Sequence, residues 1–150
     1  MIEHAMRHTD NYPGLPDPDR QPDFYRDVPT KRLVAWIVDT ILIGLIVMIT
    51  IPLTLGLVML FVPLIFFLYR VVFIARNSAT PGMSLVALEF RDHRGRRFDT
   101  LMAVMHTAGF ALSSAMVFPQ IVSIAMMLMS ARKQGLTDVV LGTAAINRSR

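Results

Sequence analysis

The chain has 150 residues, 53% hydrophobic and only 17% charged, with a mean hydropathy of +0.49, which leaves room for one small integral membrane domain. It has no cysteine, which excludes disulfides, thiolate catalysis and Cys-ligated metals. The net charge of +4 and the pI of about 10.1 do not point to nucleic acid, because the basic residues flank apolar runs, where they suit cytoplasmic loops and anionic lipid head groups.

Residues 1–29 read as a disordered cytoplasmic tail rich in proline and aspartate, with Tyr12-Pro13-Gly14-Leu15-Pro16-Asp17-Pro18-Asp19 followed by Pro22 and Pro29. No apolar core of a secretory signal precedes residue 33, and acids outnumber bases, so the tail is expected to stay on the mature protein. From residue 33 to 75 the chain carries two charges, Asp39 and Arg70, over about 43 residues. At roughly 1.5 Å of rise per residue and a hydrocarbon core near 30 Å, that length makes two crossings. Helices are expected at about 31–51 and 57–75, joined by a tight uncharged turn at Pro52-Leu53-Thr54-Leu55-Gly56, with Pro63 as a kink. Lys31 and Arg32 before this pair, and Arg70, Arg76, Arg91, Arg94, Arg96 and Arg97 at its end and after it, then share one side, which the positive-inside rule makes the cytoplasm.

Next come the breaker Thr80-Pro81-Gly82, an apolar stretch at Leu85-Val86-Ala87-Leu88-Glu89-Phe90 and a turn at Asp92-His93-Arg94-Gly95. This predicts a small cytoplasmic β element, either a hairpin with Arg96-Arg97-Phe98 or a pairing with a late strand at Gly142-Thr143-Ala144-Ala145-Ile146-Asn147. The charge-free run 100–131 follows the N-cap candidate Asp99 and contains Pro119. About 32 residues is long for one crossing and short for two, so segments at 100–117 and 119–131 are expected, bringing the C-terminus back to the cytoplasm. Thr100, His106, Thr107, Ser113, Ser114 and Gln120 form a polar stripe at about seven-residue spacing, either a packing seam or a water-lined path. The methionines read as adaptable packing, and no cluster suggests a metal or other cofactor.

Three patterns stand in order: Lys31-Arg32-Leu33-Val34-Ala35-Trp36-Ile37-Val38-Asp39, then Ala79-Thr80-Pro81-Gly82-Met83-Ser84-Leu85, then Gln134-Gly135-Leu136-Thr137-Asp138-Val139-Val140-Leu141-Gly142-Thr143. Together they resemble the RDD family of small, mostly bacterial membrane proteins, over about residues 28–147. The resemblance places the arginine and two aspartates of the family's name on Arg32, Asp39 and Asp138. The chain departs from it at Ala79, Met83 and Ser84, where the family often has glycine and lysines, and at His106, where it often has arginine. Transport of an unidentified ligand has been proposed for this family.

Arg32 and Asp39 are seven apart, two turns along one helix face, which is too far for a direct pair. Arg32 suits anchoring at the cytoplasmic head groups, with Trp36 one turn on to stack beneath its guanidinium. Asp39 lies inside the first span, where it is neutral, paired with an arginine, or ionised beside water and a cation; it either hydrogen-bonds a neighbouring helix to fix packing or serves as the membrane-embedded binding or protonatable group of a proton or ion pathway. Asp138 is a helix N-cap or turn residue, or folds against Arg32 at the cytoplasmic mouth so that Arg32, Asp39 and Asp138 form one polar cluster. His106 is a hydrogen-bonded packing group or a titrating one.

The expected fold class is therefore all-α and polytopic: a helical hairpin, then a third transmembrane segment or a broken third and fourth, with a small cytoplasmic β element. The expected domains are the tail 1–29 and a transmembrane domain 30–147. The leading functional expectation is a multi-pass protein of a bacterial inner membrane, both termini cytoplasmic, that transports or helps to transport a small solute or ion. The alternative is a structural or accessory module that recruits or stabilises a partner protein. The short helices imply a homo-oligomer or a larger membrane complex. No enzyme is expected, because no nucleophile and base, phosphate loop or HExxH pattern occurs.

Overall fold

A computed structural model describes residues 12–149. Its two longest apolar stretches satisfy their backbone groups internally, as helices. Helix α1 (Val28–Leu53) starts with Pro29 in its first turn, where a missing N–H has no helical partner to lose, and reaches Pro52 only near its end. Its buried positions Val28, Ala35, Asp39, Ile43 and Val47 fall at steps of seven and four, so one narrow stripe faces protein and most of the helix presents apolar side chains outward. Leu55 and Gly56 reverse the chain at positive φ, and a 3-10 turn over Leu57–Phe61 leads into α2 (Val62–Asn77). The kink expected at Pro63 does not arise, because this residue falls in the first turn of α2. By length and composition, these two stretches are long and apolar enough to cross a membrane.

Thr80 caps the one-turn helix α3 (Pro81–Leu85), its hydroxyl accepting the Met83 N–H at 3.2 Å. Strand β1 (Leu88–Arg91) follows. Of the two pairings expected for it, the long-range one forms: β1 runs antiparallel to β2 (Ala144–Asn147), with Leu88 opposite Asn147 and Arg91 opposite Ala144. Residues 96–98 make no strand. The Asp92 carboxylate accepts the Arg94 and Arg96 N–H groups at 2.9 and 2.8 Å and turns the chain toward the next helix.

Helix α4 (Thr100–Ser114) is capped by Asp99, which accepts the Met102 N–H at 2.8 Å, and α5 (Val117–Met129) follows at a bend of 115°. The break falls at Ala115 and Met116, a turn earlier than the sequence suggests. A proline ring clashes with the carbonyl four residues before it, which for Pro119 is Ala115, so the helix ends there and Pro119 sits in the first turn of α5. At 15 and 13 residues the two pieces measure about 22 and 20 Å, each short of a hydrocarbon core of roughly 30 Å. After α5, Gln134 Nε2 donates to the Thr143 carbonyl at 2.6 Å, and α6 (Leu136–Leu141) leads into β2 beside β1. The bent pair thus leaves the sheet and comes back to it.

The main core lies at the sheet end and joins Val28 and Ala35 of α1, Ile74 of α2, Met83, Leu88, Phe90, Phe98, Ala103 and Ala145. A second cluster, Ile43, Val47 and Val58, closes the turn end. Residues 12–27, expected to be unpacked, lie along the sheet. Leu15 and Tyr25 pack on Ala144 and Ile146, Tyr25 Oη donates to the Pro16 carbonyl at 2.8 Å, and Asn147 Nδ2 donates to the carbonyls of Asp23 and Arg26. The segment has too few apolar residues for a core of its own but borrows a face of β2. Residues 1–11 of the expected tail lie outside the described residues.

Candidate functional site

The stripe of α1 that faces protein delivers Arg32 and Asp39 to two different networks. Asp39, 1% exposed, accepts three hydrogen bonds: from Tyr69 Oη of α2 at 2.8 Å, from the Thr80 hydroxyl at 2.5 Å and from the Gly82 N–H at 2.8 Å. The Thr80 hydroxyl thus donates to Asp39 while capping α3. Gly82 is required by space: a Cβ there would lie 2.2 Å from the Ala35 carbonyl oxygen and 2.9 Å from Asp39 Oδ1. The carboxylate of α1, the phenol of α2 and the start of α3 therefore close on one another as a unit.

Arg32 reaches Asp138 instead. Its guanidinium donates to Asp138 Oδ2 and lies over the Phe90 ring of β1 at 5.6 Å from the centroid. The same Asp138 carboxylate, fully buried in the first turn of α6, accepts the Gly135 N–H at 3.0 Å and the Thr143 hydroxyl at 3.2 Å, and its Oδ1 lies 2.8 Å from His106 Nε2. Burial works to raise the Asp138 pKa, but the Arg32 guanidinium and His106 hold it below the usual carboxylate range. Asp138 thus serves both as a turn residue and as the partner of Arg32. Asp39 is bonded to neither. Trp36 is 46% exposed and faces away from both networks, so Phe90 takes the place beneath Arg32 that spacing along the helix assigned to Trp36.

His106 is enclosed by aromatic rings, with Phe90 at 4.4 Å and Phe98 at 5.5 Å between centroids. Of the polar stripe on 100–120, His106, Thr107 and Ser113 are buried while Thr100 and Ser114 are exposed. Arg70, counted from the sequence among the flanking bases, is 6% exposed, with its guanidinium over Phe110 of α4 at 4.2 Å and Phe66 at 6.0 Å. Its signal was there to read, since it interrupts an apolar run as Asp39 does. The roles of Tyr69, Thr80 and Gly82 carry no such signal, because they depend on which helix turns toward Asp39.

Among the described residues, no three His, Cys, Asp or Glu side chains group so as to hold a metal ion. An apolar cavity of about 310 Å³ between α4, α5 and α6 shares no residue with either network. The arrangement gathers two arginines, two aspartates and a histidine inside a body whose surface along α1 and α2 is apolar. The sequence model of the RDD family matches residues 27–142, a span that includes Arg32, Asp39 and Asp138. Neither a curated protein nor a solved structure matches the chain.

Proposed function

The chain belongs to the RDD family, and from that premise we propose that it is a multi-pass protein of a bacterial inner membrane, with its sheet end cytoplasmic, that helps to move a small solute or ion. The observation that carries this reading is the burial of Asp39, Arg70, His106 and Asp138, with the half-buried Arg32 closing on Asp138. An ionisable group at the centre of a spanning helix costs about 2.5–3.5 kcal/mol on insertion scales, a cost that bears on Asp39 and Arg70, which lie within the two long apolar helices. Within that set we assign Asp39 to holding α1 against α3 and Tyr69, and the working charges to Arg32, Asp138, His106 and Arg70. No enzymatic step is part of the reading. The helices are few and short, so movement of a solute calls for several copies or a larger membrane complex, with anionic lipid head groups against the basic residues of the sheet end.

A second reading, an accessory module that stabilises a partner protein, draws on one observation: Asp39 spends its acceptor capacity on three internal donors and keeps little for a passing ion. Flux of protons, sodium and potassium in proteoliposomes separates the two. Solute movement predicts flux in the wild type that survives Asp39→Asn, which keeps an oxygen for Tyr69 and Gly82, and is lost in Asp138→Asn variants that remain folded. Absence of flux for all three ions in the folded wild type favours the accessory module.

A further inference from the structure

Where α2 meets α4, three buried polar atoms have no hydrogen-bond partner: Nδ1 of His106, Oγ1 of Thr107 and Nε of Arg70. Their surroundings fix what each can do. Asp138 is already paired with Arg32, and an ionised carboxylate only accepts, so the neutral imidazole keeps its proton on Nε2 and donates it to Asp138. Nδ1 is then a bare acceptor. Arg70 Nε only donates, and the Thr107 hydroxyl does both. The Arg70 guanidinium lies over Phe110, one helical turn from His106 and Thr107, so the three atoms belong to one region of the α2 and α4 interface.

An anion would satisfy the arginine but not the bare lone pair, and a metal ion would be repelled by the guanidinium. A water molecule, which donates and accepts, suits the whole set. We propose that His106 is a proton-binding site, reached through water held by Thr107 and Arg70, with Asp138 fixing the opposite face of the ring. On loading, an O–H bond of a hydronium ion breaks, an Nδ1–H bond forms, and water is left beside an imidazolium whose charge faces the Asp138 carboxylate. Unloading is the reverse. Burial opposes the loaded form most, Asp138 from α6 favours it, and Arg32 from α1 and Arg70 from α2 oppose it. From β1 and the loop before α4 the rings of Phe90 and Phe98 face it.

As a place for a moving proton, the site rests on the solute-movement reading; as a titrating site it does not. The test is 15N-histidine NMR on the full chain in nanodiscs between about pH 4 and pH 9, with the His106 signal identified by its loss in His106→Gln. The expected spectrum shows the Nε2–H tautomer at high pH and a doubly protonated ring at low pH. Arg70→Leu, which removes an opposing charge, moves the midpoint up by about one unit or more, while Arg70→Lys leaves it near the wild-type value. An Nδ1–H tautomer, a ring that does not titrate in this range, or a midpoint unmoved in a folded Arg70→Leu variant overturns the proposal. Titration as expected, together with no proton flux in proteoliposomes, leaves the site standing and removes the transport reading alone.

Discussion

Asp39 and Asp138 are both buried aspartates, yet their partners set them different tasks. Asp39 is held by neutral donors, two hydroxyls and a backbone N–H, whereas Asp138 sits against a guanidinium. The second arrangement has a consequence for pH. The Asp138 carboxyl is held below its unfolded value of about 3.9, so its contribution to stability is fully present above that value and is lost as pH falls through it toward the folded-state pKa. The part of the thermal midpoint in detergent that Asp138→Asn removes should be flat above about pH 5 and decline below it. Asp138→Asn leaves Arg32 without its acid and should cost about 3–5 kcal/mol at neutral pH, with a shallower acid decline. A variant as stable as the wild type at pH 7 would show that the pair contributes nothing. At this scale the aspartates were visible in the sequence, because an acid in an apolar run stands out. Their partners were not, because Tyr69, Thr80 and His106 are 30, 41 and 32 positions from the acids they meet.

Between elements, backbone approach decides which side chains can meet. Helix α1 comes so close to the start of α3 that only glycine fits at position 82, and this contact brings the Gly82 N–H onto Asp39. Gly82→Ala should therefore destabilise by about 1–3 kcal/mol, read as a drop in thermal midpoint. Gly44→Ala, in α1 with nothing within 4 Å of the added Cβ, should leave the midpoint unchanged or slightly raised. Equal effects at both positions would mean that helix propensity, not the close approach, sets the outcome. The helices were legible because long apolar runs have one way to satisfy their backbones. The bend was legible only to within a turn, because Pro119 acts on the carbonyl four residues earlier and not on itself. The docked segment 12–27 was not legible, since the apolar surface that holds Leu15 and Tyr25 belongs to β2, more than a hundred residues away.

For the whole molecule, the pairing of β1 with β2 fixes the topology. The chain leaves the sheet through α4, turns by 115° and comes back through α5 and α6, so the loop after α2 and the C-terminal strand share a side, while the turn between α1 and α2 lies at the far end. The chain has no cysteine, so single cysteines can be introduced without background. In oriented vesicles, cysteines at Arg94 and Ser149 should react with an impermeant reagent from one side, and a cysteine at Leu55, which is 94% exposed, from the other. Reaction of all three from one side would refute the topology. By itself the amino-acid sequence determined the apolar segments, the breakers between them and the acids within them, because these depend on local composition and on the cost of placing a charge among apolar side chains. Tertiary structure decided that Arg32 meets Asp138 and not Asp39, that Arg70 is buried, and that His106 is bonded on one ring nitrogen alone. Such pairings depend on which faces of distant helices are brought together, and no local pattern encodes that.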